Sequence, residues 1–168
     1  MKILYAFQGT GNGHASRARD ILPELTRHAH VDVANSGSNF QLDIGHPVTL
    51  SFSGLSFRQG GDGKISTWET VKSWRFGKAF CDVHSLDLAS YDIVVSDFEP
   101  ITAYAANQSQ TASVSLSHQA SFLSKKKPRP DKASPPCEAF FRWYAPAQKN
   151  IGFHFDRYDS FILSPVLR

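Results

Sequence analysis

The chain opens with a short apolar run, Lys2–Phe7 (KILYAF), that passes into a turn holding Gly9, Gly11 and Gly13 and then into a helical pattern. An apolar run of this length, bounded by glycines, reads as a buried strand. Beyond the turn, Ala18, Ile21, Leu22 and Leu25 fall at i, i+3, i+4 and i+7, predicting a helix from about His14 to His28 with one apolar stripe. Pro23 lies inside that helix, removes a backbone donor and crowds the preceding turn, so a kink or irregular turn is expected there.

Further strands are expected at Val31–Ala34, Val48–Phe52, Asp92–Ser96 and Ala112–Ser117, with final strands at Ile151–Phe155 and Ser160–Leu163. Helices are expected over Thr67–Leu88, with Ser66 or Thr67 as N-cap and a break near Gly77, over Ile101–Asn107, and over Glu138–Gln148. Gln59–Gly63 reads as a flexible loop because its glycines carry too much backbone entropy. Ser124–Pro136 reads as a mobile basic, proline-rich loop. Strands alternating with helices predict an α/β fold, a Rossmann-like parallel sheet flanked by helices, since each parallel neighbour needs a crossover. At 168 residues the chain fits one such domain, assigned to residues 1–163, with residues 164–168 as the start of a linker.

Composition narrows the function. The net charge of +3 is too small to imply nucleic acid, and the basic residues Lys125, Lys126, Lys127, Arg129 and Lys132 occupy one short segment without a recognised binding motif. Beside them stand Phe140, Phe141, Trp143 and Tyr144; this pairing suits an anionic membrane surface, a phosphorylated acceptor, or equally a solvated loop next to a core helix. The two cysteines, Cys81 and Cys137, form no CxxC pair, so neither a disulfide framework nor a structural metal is indicated and a reducing cytoplasm is the default. The opening apolar run is too short for a signal-peptide core.

Three polar clusters converge on the carboxyl edge of the expected sheet. In Gln8-Gly9-Thr10-Gly11-Asn12-Gly13-His14 the glycines allow close approach of a ligand, and the helix N-terminus that follows offers unpaired N–H groups. A dinucleotide fingerprint would need glycine where His14 stands and an acid where Asn35 and Ser36 stand, so a nicotinamide cofactor is disfavoured; a phosphate loop ending in Gly-Lys-Ser/Thr is not found either. His14 is the general-base candidate, as a neutral imidazole can accept a proton near physiological pH. Asp97, in Ser96-Asp97-Phe98-Glu99-Pro100, fits the role of orienting that imidazole, or alternatively of capping the following helix. Ser117-His118-Gln119 follows the next strand as a ligand-binding candidate or a polar strand end.

These residues carry a resemblance. The opening strand with G-T-G-N-G-H-A-S-R, the S-D-F-E-P, the S-H-Q and the closing S-P-V-L-R are similar to the N-terminal half of bacterial and archaeal GT-B glycosyltransferases, notably the UDP-N-acetylglucosamine transferase group, over essentially the whole chain. That resemblance implies an acceptor-binding lobe facing a C-terminal donor-binding domain, transfer from a UDP-sugar to a lipid or saccharide hydroxyl with inversion, and no metal or other cofactor. It implies His14 and Asp97 as catalytic residues, Gly9, Thr10, Gly11, Asn12 and Gly13 as the loop near the donor phosphates, and Arg17, Glu99, His118 and Gln119 on the acceptor side. It also implies a cytoplasmic protein with peripheral contact to the inner membrane face, inactive without its donor-binding domain. The rival reading from the residues alone is a noncatalytic Rossmann-like module that binds a sugar or an anionic lipid.

Overall fold

The computed structural model describes the chain except residues 38, 54, 56, 58–69, 71, 127–134 and 166–168. Seven strands, β1 (Lys2–Gln8), β2 (His30–Ser36), β3 (Leu50–Phe52), β4 (Ile93–Asp97), β5 (Ser113–Ser117), β6 (Lys149–Phe153) and β7 (Ile162–Leu163), form one sheet in the order β3-β2-β1-β4-β5-β6-β7. Every pairing is parallel. The helices are α1 (Asn12–His28), α2 (Phe76–Ser85), α3 (Pro100–Ser109) and α4 (Pro135–Trp143), with a 3₁₀ turn over Gln119–Leu123. The α/β, Rossmann-like parallel sheet expected from the alternation is therefore present.

Period-two alternation in β1 builds a core on both faces of the sheet. Ile3, Tyr5 and Phe7 pack with Ala15, Ala18 and Leu22 of α1 and with Val31 and Val33 of β2. Leu4 and Ala6 face the other way, onto Val94 and onto Ala105 and Ala106 of α3. These central strands are buried on both sides, which is why Lys2–Phe7 and Asp92–Ser96 are so nearly continuous in apolar residues.

Several boundaries differ from the sequence-based expectation. α1 runs unbroken through Pro23, and Leu22, immediately before it, is buried against the sheet. Packing of the Ala15, Ala18 and Leu22 stripe outweighs the one lost backbone donor. α4 starts at Pro135, inside the segment expected to be a loop, and stops at Trp143 rather than Gln148. Proline suits the first helical turn, whereas Pro146 biases Ala145 away from helical backbone. The loop at residues 59–63, the upstream end of the helix expected from Thr67, most of the basic loop and the last three linker residues lie outside the described residues.

Two contacts fix the loops at the carboxyl edge. A Cβ on Gly152 would meet the backbone N of Ser121 at 2.7 Å, so β6 and the 3₁₀ turn approach as closely as only glycine permits. Glu99 is the N-cap of α3: its carboxyl accepts from the backbone N–H of Ile101 at 2.8 Å and of Thr102 at 2.7 Å. It also accepts from the Thr102 hydroxyl at 2.6 Å and from Ser36 at the end of β2 at 2.5 Å. The capping role weighed for Asp97 thus falls to Glu99. Glu99 is fully buried with both oxygens engaged, which corrects its assignment to the acceptor side.

Gly152→Ala is expected to lower unfolding free energy by about 1–3 kcal/mol, as overpacking does, measured by urea denaturation. Glu99→Ala is expected to cost about 2 kcal/mol through loss of the cap and stranding of buried donors. Burial pushes the Glu99 carboxyl above its ordinary value, against the hydrogen bonds from Ser36 and Thr102, which lower it. A raised folded-state pKa means that the native chain holds the proton longer than the unfolded chain. Wild-type stability should therefore fall, relative to Glu99→Gln, as pH rises from the ordinary glutamate range through the raised value.

Candidate active site

The order of the sheet reverses direction at β1 and β4, adjacent strands whose following connections lead to opposite sides. Parallel sheets open a crevice beyond the carboxyl ends of the strands at such a point. β1 delivers Gln8 and, one turn later, His14 in the first turn of α1; β4 delivers Asp97; the exit from β5 delivers His118 and Gln119.

His14 and Asp97 meet. The His14 Nδ1 lies 2.8 Å from the Asp97 Oδ1, although the residues are 83 positions apart. The Arg17 Nη1 lies 2.6 Å from each oxygen of the same carboxyl. His14 and Arg17 are three residues apart and so share a face of α1. The Asp97 side chain is 0% exposed and that of His14 13%. A buried carboxylate is tolerable only with charged or hydrogen-bonding partners, and Arg17 is the permanent one here. Arg17, expected on the acceptor side, is instead turned onto Asp97. As an acceptor, Asp97 selects the imidazole tautomer with hydrogen on Nδ1, leaving the Nε2 lone pair as the basic position. The Gln119 Nε2 stands 3.5 Å from that Nε2.

The backbone between the two acids is unusual. Phe98 has φ 56°, a left-handed conformation that a bulky residue rarely adopts. The twist sends Asp97 toward α1 and Glu99 into the α3 cap, and it lays the Phe98 ring parallel to His14 at 6.5 Å between centroids. Strain of this kind concentrates at functional sites.

Above His14 opens a cleft of about 490 Å³, lined by Gln8, Thr10, His14, His118 and Gln119 and by the rings of Phe57, Phe98, Phe122, Phe140 and Phe141. The aromatic wall is one packed cluster around Tyr144, whose ring lies 4.7 Å from Phe98 and 4.8 Å from Phe140. The segment Phe140–Tyr144 therefore divides its residues: Tyr144 is buried, Phe140 and Phe141 line the cleft, and Trp143 is exposed. Exposed His118 is fixed by a hydrogen bond from its Nδ1 to the Phe153 carbonyl at 2.8 Å.

Much of the glycine turn serves its own structure. A Cβ on Gly9 would meet the Gly37 carbonyl oxygen at 2.8 Å, and Gly11 sits at φ 76° as the N-cap of α1. Thr10 accepts from the Gln8 Nε2 at 3.1 Å and from the Phe57 N–H at 3.2 Å, while the Asn12 Oδ1 accepts from the Gln41 N–H at 2.9 Å. Gly13 alone has neither demand: a Cβ there would meet nothing within 4 Å.

The sequence places Gln8 at the head of the glycine turn and groups Phe140 with Phe141, but it does not reveal that Phe57, Phe98 and Phe122 join them in one wall. Phe57, Phe98 and Phe140 are scattered along the chain and share no spacing. Among the described residues, no group of three or more His, Cys, Asp or Glu gathers to hold a metal, and no helix is long and apolar enough to cross a membrane.

Comparison with solved structures finds MurG of Acinetobacter baumannii similar at a TM-score of 0.52 over 95% of this chain, with 10% sequence identity. That likeness is one of fold, a GT-B lobe, and this chain spans 43% of the length of that MurG. Comparison with curated proteins gives no match. The model of one protein family, described as glycosyl transferase family 1, matches residues 1–134. That match takes in the glycine turn, His14, Asp97 and His118 together, and the chain belongs to glycosyl transferase family 1.

Proposed function

We propose that this domain is the N-terminal, acceptor-binding half of a glycosyltransferase that moves a sugar from a UDP-sugar to a lipid or saccharide hydroxyl with inversion. The observation that carries the reading is the His14–Asp97 contact of 2.8 Å at the mouth of the cleft. In this reaction the acceptor oxygen attacks the anomeric carbon while its proton passes to the His14 Nε2. The bond from that carbon to the diphosphate oxygen breaks, and the electron pair leaves with UDP. Asp97, holding Nδ1–H, orients the ring and stabilises the imidazolium that forms. A single displacement from the far face inverts the anomeric centre. The open N–H groups at the start of α1, reached over Gly13, face the charge growing on the diphosphate. Most of the donor's binding is assigned to a C-terminal domain; the 43% span against MurG supports that division, and the domain alone is expected to be inactive.

A face formed by Phe76, Phe80 and Trp143, which are 56%, 63% and 60% exposed, is the proposed contact with an anionic membrane surface on its cytoplasmic side. Exposed Lys72, Arg75 and Arg142 stand on the same segments. This moves the contact from the basic loop around Lys125 to α2 and the end of α4.

In the enzyme assembled with its donor domain, His14→Ala is expected to lower kcat by about 100-fold or more, the range of a general base, measured as UDP release. Unchanged turnover would remove His14 from the mechanism. Gly13→Ala is expected to leave unfolding free energy within about 0.5 kcal/mol or slightly raise it, because alanine favours helix. The same variant should raise KM for the UDP-sugar, since its methyl group occupies the open approach to the α1 amides. Phe76→Ser with Phe80→Ser should weaken sedimentation with phosphatidylglycerol vesicles; equal sedimentation would place the contact elsewhere.

A further inference from the structure

Gln8 is 1% exposed and lines the cleft, yet its Oε1 has no partner among the described residues. Its Nε2 donates to the Thr10 hydroxyl, which also receives the Phe57 N–H. Turning the amide over exchanges its two polar atoms and still leaves one of them unpaired. The Gln119 Oε1, in the same cleft, is likewise buried and unpartnered among the described residues. Buried Gln8 and half-buried Gln119, each with an amide oxygen that no described residue engages, therefore stand in the cleft with the rings of Phe98, Phe140 and Phe141. A buried polar atom left unpaired is costly, so an occupant that these amides turn to meet gains by supplying partners to them.

We propose that Gln8, with Gln119, selects a hydroxylated ring as the acceptor and rejects a simple alkyl alcohol; this rests on the acceptor role proposed for the cleft. A hydroxyl both donates and accepts, so it satisfies an amide in either orientation, whereas a hydrocarbon chain satisfies neither. A pyranose has a rim of hydroxyls and an apolar C–H face, matching the amide wall and the aromatic wall of one cleft. Sites built to bond a hydroxyl discriminate strongly against analogues that lack it, because their own polar groups are then left unpaired. Gln8 is thus a specificity residue, distinct from His14, which takes the proton.

The test is an NMR titration of the ¹⁵N-labelled chain with methyl β-D-glucopyranoside and with cyclohexylmethanol, a ring of similar size without ring hydroxyls. The glycoside is expected to shift the side-chain NH₂ signals of Gln8 and Gln119 and to bind at least about tenfold more tightly than cyclohexylmethanol. Gln8→Leu should abolish that preference, and Gln119→Leu should reduce it; the second variant decides the matter if the first does not fold. Equal affinity for the two probes, a preference unchanged in the folded variants, or no shift at either amide at the highest soluble glycoside concentration would overturn the proposal. Its failure is separable from failure of the catalytic reading, which is read from turnover by His14→Ala.

Discussion

A carboxylate sealed from solvent sets the terms for the rest of the molecule. Asp97 at the end of β4 is buried with Arg17 and His14, both on the first turns of α1, as its hydrogen-bonding partners. Removing one partner of such a group leaves a buried charge uncompensated, a far larger penalty than loss of a surface ion pair. The contact therefore does two things at once: it ties α1 to the strand beside β1, and it orients an imidazole with its free nitrogen toward the cleft. Glu99, two residues on, spans the same junction from the other side by joining α3 to Ser36 of β2.

How far the sequence discloses this differs from residue to residue. The central strands are legible because burial on both faces demands unbroken apolar runs, and α1 is legible because its stripe faces the sheet. The convergence of His14, Asp97 and His118 follows from topology, since the ends of parallel strands share one edge. Their neighbours are less visible. Asp97 and Glu99 are both acids before a proline, and only the left-handed turn at Phe98 decides which one caps the helix and which one meets His14. Arg17 looks like a ligand-binding cation until burial of Asp97 claims it. Gln8 heads the glycine turn, but nothing local marks its amide, whose significance comes from partners it lacks in three dimensions.

Membership of glycosyl transferase family 1 and a MurG-like fold give this geometry a chemical context, while the side chains give it content. The cleft joins a polar wall of amides and imidazoles to an aromatic wall assembled from Phe57, Phe98 and the segment around Phe140. Those rings come from distant parts of the chain and converge on Tyr144, so the aromatic wall is an extension of the hydrophobic core rather than a loop laid over it. A wall of that kind is preorganised, as positioning a nucleophilic hydroxyl requires.

The central claim, that Asp97 holds the His14 ring with its basic nitrogen toward the cleft, is open to direct observation by ¹⁵N NMR of the histidine side chains at a pH where the ring is neutral. The account predicts that His14 carries its hydrogen on Nδ1 and shows an unprotonated Nε2, and that Asp97→Asn removes this preference. A wild-type ring protonated on Nε2, or a tautomer indifferent to the substitution, would contradict it.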